Sequence, residues 1–183
     1  MTSLRTVGHG TLTAEAFASL LDRALVGRVV DVRSFPGSRR NPHFARETME
    51  HWVPAAGIGY IWIRELGGRR RPVADSKHLA LRHDAFRAYA DYMETPEFLA
   101  GVEELLALDT SEPTAVMCSE SVWWRCHRRL LADHLALVRG IEVVHLMHDG
   151  RLTPHVPTQG VRLADERLVY DVGATPPLSV DQS

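Results

Sequence analysis

Two carboxylates lie where an enzyme would need them, each beside a short apolar segment. Asp31 is near the end of the segment Arg28 to Val32, and Glu120 follows the segment Thr114 to Met117. A carboxylate in such a position can act as a general base or stabilise a cationic transition state. Asp31 has an equally good structural explanation, because an aspartate at a strand end often accepts hydrogen bonds from turn amides. Glu120 is therefore the stronger catalytic candidate.

Cys118 and His9 are the other two catalytic candidates. Cys118 lies at a strand-to-helix turn, where helix-terminal amides can lower the pKa of a thiol and make it a nucleophile. The loop after it contains Glu120 and lacks glycines that would direct successive amides at an anion, so a buried inert cysteine is the favoured interpretation. His9 could carry a proton or cap a helix, and both alternatives stay open. We expect Glu120 to matter more to catalysis than Cys118.

A metal site has little support in the sequence. Cys118, Cys126, His127 and His145 could be combined into one ligand set. The spacing of the two cysteines and the adjacent Cys-His pair do not match a zinc knuckle, however. The sequence therefore predicts no metal ion and no other cofactor.

Arginines are concentrated in two segments that are rich in glycine and proline. Guanidinium groups bind phosphate oxygens bidentately, and neighbouring aromatic faces can stack on an exposed base. A solvated charged face with ordinary core aromatics is the competing interpretation. The predicted phosphate-binding residues are Arg33, Ser38, Arg39, Arg40, Arg69, Arg70, Arg71, His127 and Arg128. The predicted base-stacking residues are Phe35, Phe44, Trp123 and Trp124.

Strand-like and helix-like segments alternate along residues 4 to 147, which predicts an α/β fold. The five predicted strands are Leu4 to Val7, Arg28 to Val32, Tyr60 to Leu66, Thr114 to Met117 and Ile141 to Met147. Helical periodicity covers Ala14 to Leu25, Ala45 to Ala56, two segments within Asp84 to Leu108, and Trp123 to Val138. We expect three layers, with a mainly parallel five-stranded sheet, helices on both faces and a Rossmann-like or rhodanese-like topology. Ligands bind such sheets at the carboxyl ends of the strands, where the candidate residues are concentrated.

Composition and length constrain the organisation of the chain. Residues 1–153 are predicted to form a single domain and residues 154–183 an irregular tail packed on it, with the end disordered. The formal net charge of −2 gives no long-range attraction to polyanions, so any nucleic-acid surface has to be a local patch. No stretch approaches the length of a membrane span, and the two cysteines do not form a many-cysteine framework. The first residues lack an apolar region after a basic start, so we expect no signal peptide. We expect a cytoplasmic protein without membrane association.

Three motifs in the chain resemble a known family. They are Thr6-Val7-Gly8-His9-Gly10, then Val30-Asp31-Val32-Arg33-Ser34 with Pro36 and Ser38-Arg39, and finally Cys118-Ser119-Glu120 through Cys126-His127-Arg128. Together they are similar to the domain of unknown function family 488, over residues 4 to 150. The chain has Gly10 where the family commonly has serine, and it carries Trp123-Trp124 before Cys126. The resemblance implies an association with nucleic-acid metabolism and with the removal of modified bases.

The favoured function is an enzyme that processes a nucleotide or a nucleic-acid base. Its most specific form is a DNA glycosylase-like N-glycosidic hydrolase that acts on a modified base, as in DNA repair. Glu120 or Asp31 would activate water or stabilise an oxocarbenium-like sugar, and the partner would be nucleic acid, with DNA preferred, or a nucleotide. Two alternatives stay open. One is a noncatalytic nucleic-acid or nucleotide-binding module, and the other is a rhodanese-like thiol-dependent sulfurtransferase or phosphatase that uses Cys118.

Overall fold

The computed structural model describes residues 3–37, 39–108 and 112–174. A central sheet contains five parallel strands whose spatial order is β3-β2-β4-β1-β5. These strands are β1 (Leu4–Gly8), β2 (Arg28–Asp31), β3 (Gly59–Trp62), β4 (Thr114–Cys118) and β5 (Val143–Leu146). The predicted α/β class with a mainly parallel sheet is confirmed.

Helices cover both faces of the sheet. One face packs against α1 (Ala14–Arg23) and α2 (Arg46–Ala55), and the other against α3 (Asp84–Tyr92), α4 (Pro96–Leu106) and α5 (Arg128–Asp133). The threonines preceding α1 and α4 accept hydrogen bonds from first-turn amides, which explains why these helices begin there. The longest α-helix among the described residues has only 11 residues, too few to cross a bilayer.

Side chains along the strands alternate between two apolar cores. In β4, Met117 packs in the core under α1 and α2, whereas Val116 and Cys118 pack in the core under α3 to α5. In β2, Val29 and Val30 separate in the same way. The sheet therefore directs the side chains of consecutive residues at its carboxyl edge to opposite faces.

The prediction of one helix from Trp123 to Val138 is wrong. A 3-10 turn over Trp123–Arg125 ends at Cys126, whose backbone is extended, with φ −131° and ψ 156°. The helix α5 then begins at Arg128, and the chain continues beyond it as a π-helical turn over His134–Val138. The extended residue places the Cys126 sulfur beside the end of β4, and this tertiary arrangement overrides the local helical pattern.

The segment that follows β5 is more regular than the sequence predicts. Residues Leu152–Pro154 form β6, which pairs antiparallel with β5 and adds a sixth strand at the sheet edge. The predicted irregular tail then contains a hairpin of β7 (Val161–Ala164) and β8 (Arg167–Tyr170). Its two turn residues, Asp165 and Glu166, both have positive φ, which suits a tight hairpin. The predicted disordered end, residues 175–183, lies outside the described residues.

A fully buried carboxylate joins this segment to the domain. Asp133, at the end of α5, accepts hydrogen bonds from the backbone N–H of Thr158 at 2.9 Å and the hydroxyl of Tyr170 at 3.0 Å. The ring of His155 lies 2.9 Å from the same carboxylate. Three groups from residues 155 to 170 are thus satisfied by one side chain of the core.

Replacing Asp133 by Ala should lower the free energy of unfolding by about 3 kcal/mol, because three buried groups lose their acceptor. Tyr170→Phe, which removes one of these hydrogen bonds, should cost only about 1 kcal/mol. Urea unfolding followed by circular dichroism measures both values. Equal stability of Asp133→Ala and the unmodified chain would contradict the proposed anchoring.

Candidate active site at the carboxyl edge of the sheet

The loops that leave the strands pack against one another in pairs. The amides of His9 and Gly10 donate to the carbonyls of Cys118 and Ser119, which joins the loops after β1 and β4. The amide of Arg69 donates to the Ser34 hydroxyl in the loop after β2. These contacts bring the family motifs together at one edge.

Gly8 is required by this close packing. A Cβ atom at this position would lie 1.7 Å from the Glu120 carbonyl oxygen, so no larger residue fits. The loop after β4 is therefore held directly against the end of β1, and the glycine of the first motif serves this approach.

Asp31 is a saturated structural carboxylate. It is 0% exposed and accepts from the backbone N–H of Arg33 at 3.0 Å, from its Nε at 2.9 Å and from Nη2 at 2.5 Å. The hydroxyl of Tyr60 donates to the second carboxylate oxygen at 2.7 Å. Burial and the Asp31 charge raise the pKa of Tyr60 above its usual range, which keeps this hydroxyl protonated as a donor. Every feature of this environment matches the structural explanation for Asp31.

Arg33 is also inside the protein. Burial tends to lower the pKa of its guanidinium, but the hydrogen bonds and charge of Asp31 outweigh that effect and raise it. With both of its carboxylate contacts made inside the fold, Arg33 is not placed to bind a phosphate as predicted.

His9 lies buried beside this ion pair. Its Nδ1 donates to the Gly10 carbonyl at 2.9 Å, which leaves Nε2 to accept from Arg33 at 3.3 Å. Burial and the Arg33 charge lower the pKa of His9 to about 4, so the ring is neutral at physiological pH. The ring stacks on Phe44 with a centroid distance of 4.1 Å. Phe44 is fully buried, so its predicted role in stacking on a base is wrong: the core already covers its faces.

Two cysteines and a histidine form a compact group on the opposite face of the sheet. Cys118 and Cys126 are 6% and 3% exposed, and their sulfurs lie 3.8 and 3.5 Å from Nδ1 of His127. The hydrogen bond to Cys126, together with burial, raises the pKa of the Cys118 thiol to about 12. This environment argues against Cys118 as a free nucleophile and leaves the rhodanese-like alternative without support from its predicted residue.

For Cys126, burial opposes ionisation, but the hydrogen bond from Cys118 and the charge of Arg128 lower the pKa of its thiol to about 6. The predicted phosphate-binding residue His127 directs Nδ1 at the two sulfurs and packs its ring against Tyr89. Its Nδ1 is therefore engaged within the protein.

Arg128 is 1% exposed and cannot reach a phosphate in solution, contrary to the prediction. Its Nη2 donates to the carbonyl of Glu120, and its Nη1 lies 3.5 Å from the Thr6 hydroxyl. Thr6 in turn contacts the ring of His145 at 2.7 Å. Arg128 therefore orders the loop that carries Glu120.

Trp123 and Arg70 are also engaged within the protein. One face of Trp123 stacks on His145 at a centroid distance of 4.0 Å, which leaves that face unavailable to a base. The guanidinium of Arg70 donates to the carbonyls of Gly67, Arg64 and Glu65 and lies 3.5 Å above the Tyr92 ring. Arg70 stabilises its own loop, so it is not placed to bind phosphate as predicted.

The remaining predicted residues that the structure describes face solvent. Phe35 is 63% exposed and Trp124 is 46% exposed. Ser38 lies outside the described residues. The exposed charged members of the predicted set are Arg39, Arg40, Arg69, Arg71 and Glu120. We call these five residues, with Phe35 and Trp124, the arginine rim.

Sequence reasoning misses the part played by Tyr60 and understates that of Cys126. Tyr60 lies in β3 and reaches Asp31 across the sheet, and its strand-like context carries no signal of this contact. The helical pattern assigns Cys126 to the core, although the adjacent His127 indicates that the thiol could belong to a functional group of residues. His155, which contacts His145 at 3.0 Å, escapes notice because it lies in the predicted irregular tail.

The fold and the site define an α/β protein whose candidate residues gather at the carboxyl ends of parallel strands. A family model described as "Domain of unknown function DUF488" matches residues 13–135. The chain belongs to this family, as the resemblance predicted, and the match includes the second and third motifs but not the first, Thr6 to Gly10. A search of curated proteins and a search of solved structures each gave no match.

Asp31→Asn should lower the free energy of unfolding by about 3 kcal/mol, because it leaves the Arg33 guanidinium buried without a counter-charge. Tyr60→Phe removes a single neutral donor and should cost about 1 kcal/mol. Chemical denaturation of both variants compares the two effects. A fully stable Asp31→Asn variant that has lost activity would reverse the structural assignment of Asp31.

Proposed function

We propose that this protein is an enzyme that acts on a nucleic-acid base or a nucleotide, most specifically an N-glycosidic hydrolase that releases a modified base from DNA. The observation that supports it is the arginine rim, where exposed guanidiniums, exposed aromatic rings and one exposed carboxylate share the carboxyl edge of the sheet. Each type of side chain matches one part of a nucleotide.

The phosphate is assigned to the exposed arginines. Arg39, Arg40, Arg69 and Arg71 present forked donors suited to bidentate contacts with phosphate oxygens. Since the whole chain has a net charge of −2, this local concentration of positive charge is what attracts a polyanion.

The base is assigned to the exposed aromatic rings. The guanidinium of Arg69 lies 5.9 Å from the centroid of the Phe35 ring, so a cation and an aromatic face occur together. Trp124 offers a second exposed ring, held edge-on against Trp123. Stacking on such rings stabilises a base that has left its helix.

The chemical step is assigned to Glu120. Its backbone carbonyl accepts a hydrogen bond from Arg128, which fixes the position of the residue. Its carboxylate faces solvent and is accessible to a substrate. A carboxylate beside the sugar can activate water or stabilise the positive charge that develops as the glycosidic bond breaks. Asp31, with its oxygens occupied by four donors, supports the loop instead.

Glu120→Gln preserves the size of the side chain and removes its charge, so the rate of base release should fall by at least about 100-fold. Incubation with oligonucleotides that carry modified bases, followed by cleavage at abasic sites, measures this rate. Glu65→Gln is the matched control, because Glu65 is another exposed glutamate in a loop at the same edge. Full activity of Glu120→Gln would remove the carboxylate from the mechanism. Binding of oligonucleotides without base release would instead identify a noncatalytic binding module.

Replacing Arg39 and Arg40, or Arg69 and Arg71, by Ala should weaken oligonucleotide binding irrespective of sequence. The slope of log affinity against log salt should shrink by about one for each phosphate that the variant no longer neutralises. Fluorescence anisotropy at several salt concentrations gives both quantities. Arg23→Ala is the control, because Arg23 is exposed at the end of α1, on the opposite edge of the sheet. An unchanged slope in the folded double variants would leave these arginines as an ordinary solvated surface.

A further inference from the structure

The group of Cys118, Cys126 and His127 has a use that neither the proposed hydrolysis nor the family assignment describes. The two sulfurs and Nδ1 of the ring lie within 4.8 Å of one another. The three atoms come from the end of β4 and from the residues just before α5, so the sheet and the helix layer meet at this point.

Two of the three distances in this group match edges of a metal coordination tetrahedron, and the third, between the two sulfurs, is at most 4.8 Å. Zinc binds sulfur at about 2.3 Å and imidazole nitrogen at about 2.0–2.1 Å, which places the two ligand atoms about 3.6 Å apart at the tetrahedral angle. The Cys126 and Cys118 sulfurs lie 3.5 and 3.8 Å from Nδ1 of His127. One ion lying between the two sulfurs and Nδ1 could therefore be a common partner of all three atoms.

Nδ1 of His127 cannot form a good hydrogen bond with both sulfurs. A ring nitrogen has either one lone pair or one N–H, so Nδ1 can form one good hydrogen bond, yet two sulfurs converge on it. A cation at the centre of the three atoms would accept an electron pair from each sulfur and from Nδ1.

The surroundings also fit metal ligation. The backbone N–H of Arg128 is directed at the Cys126 sulfur at 3.5 Å, an outer contact that supports a thiolate ligand. Gly68 packs against the same ring, where a Cβ would lie 2.4 Å from Nδ1 of His127. A side chain at position 68 would push on the atom that binds the metal.

We propose that Cys118, Cys126 and His127 bind one zinc ion, with a solvent molecule at the fourth coordination position. Two thiolates and an imidazole in a tetrahedral arrangement select zinc among the common divalent cations, and three protein ligands with one open position are typical of reactive zinc sites. The site does not depend on the proposed hydrolysis, because Glu120 and the arginine rim supply none of the ligands. Its ligands connect the end of β4 to α5, so the ion also stabilises the loop between them.

Metal content of the full chain tests this site directly. The reduced chain is loaded with zinc, dialysed and analysed by inductively coupled plasma mass spectrometry, with one equivalent expected. Cobalt substitution should give thiolate-to-metal charge-transfer bands and the visible bands of a tetrahedral ion. Zinc should also protect both cysteines from alkylation, and a chelator should reverse the protection. Less than about a tenth of an equivalent, with thiols equally reactive with and without zinc, would overturn the proposal.

Variants separate ligation from folding. Cys126→Ser and His127→Gln should each lower zinc affinity at least tenfold, whereas His51→Gln, on the exposed part of α2, should leave one equivalent bound. His127→Cys keeps a ligand at the position, so it should retain the metal and increase the cobalt charge-transfer intensity by roughly half. Failure of His127→Cys to bind cobalt while it remains folded would contradict ligation at this position. A disulfide between the two cysteines, without metal uptake after reduction, would contradict the whole site.

Discussion

The burial of the Arg128 guanidinium is the constraint on which the carboxyl edge depends. A cation removed from water is costly unless protein acceptors replace the lost hydration. Here the Thr6 hydroxyl and the Glu120 carbonyl accept from Nη1 and Nη2, while the buried Nε has no hydrogen-bond partner among the described residues. These contacts fix the loop after β4 to β1. The same residue directs its backbone N–H at the Cys126 sulfur. One buried residue therefore holds the loop that carries Glu120 through its side chain and contacts the cysteine group through its backbone.

The alternation of side chains along the strands explains why neighbouring motif residues have different roles. Because strand side chains alternate, the Asp31, Arg33 and His9 group belongs to the face covered by α1 and α2, while Cys118 belongs to the opposite face. The first group is a closed set of hydrogen bonds with a neutral ring at its end. These three residues are at most 7% exposed, so the solvent-facing part of this edge is formed by the arginine rim.

The fold was predictable from the sequence because its parallel strands and most of its helices have local periodicity that agrees with their final environment. The elements that the sequence did not predict depend on tertiary contacts. Cys126 interrupts a helical pattern because its sulfur contacts residues outside the helix. The Asp165-Glu166 turn contains neither glycine nor asparagine, the residues that usually indicate a hairpin. Motif positions at the strand ends were also predictable. The sequence does not predict which of these residues face solvent. Arg128, for example, is buried in contact with Thr6, which lies 122 residues away in the chain.

The position of Asp133 has a consequence for the order of folding during synthesis. Its hydrogen-bond partners follow it in the chain, and the last of them, Tyr170, emerges 37 residues later. At about 5–20 residues per second, the ribosome needs roughly 2 to 7 seconds to make this interval. During this interval, the nascent chain contains α5 but lacks the full set of hydrogen-bond donors that make burial of the Asp133 carboxylate favourable. The core under α3 to α5 includes Leu168 and Tyr170 of β8, so this core can be completed only after the hairpin has been translated.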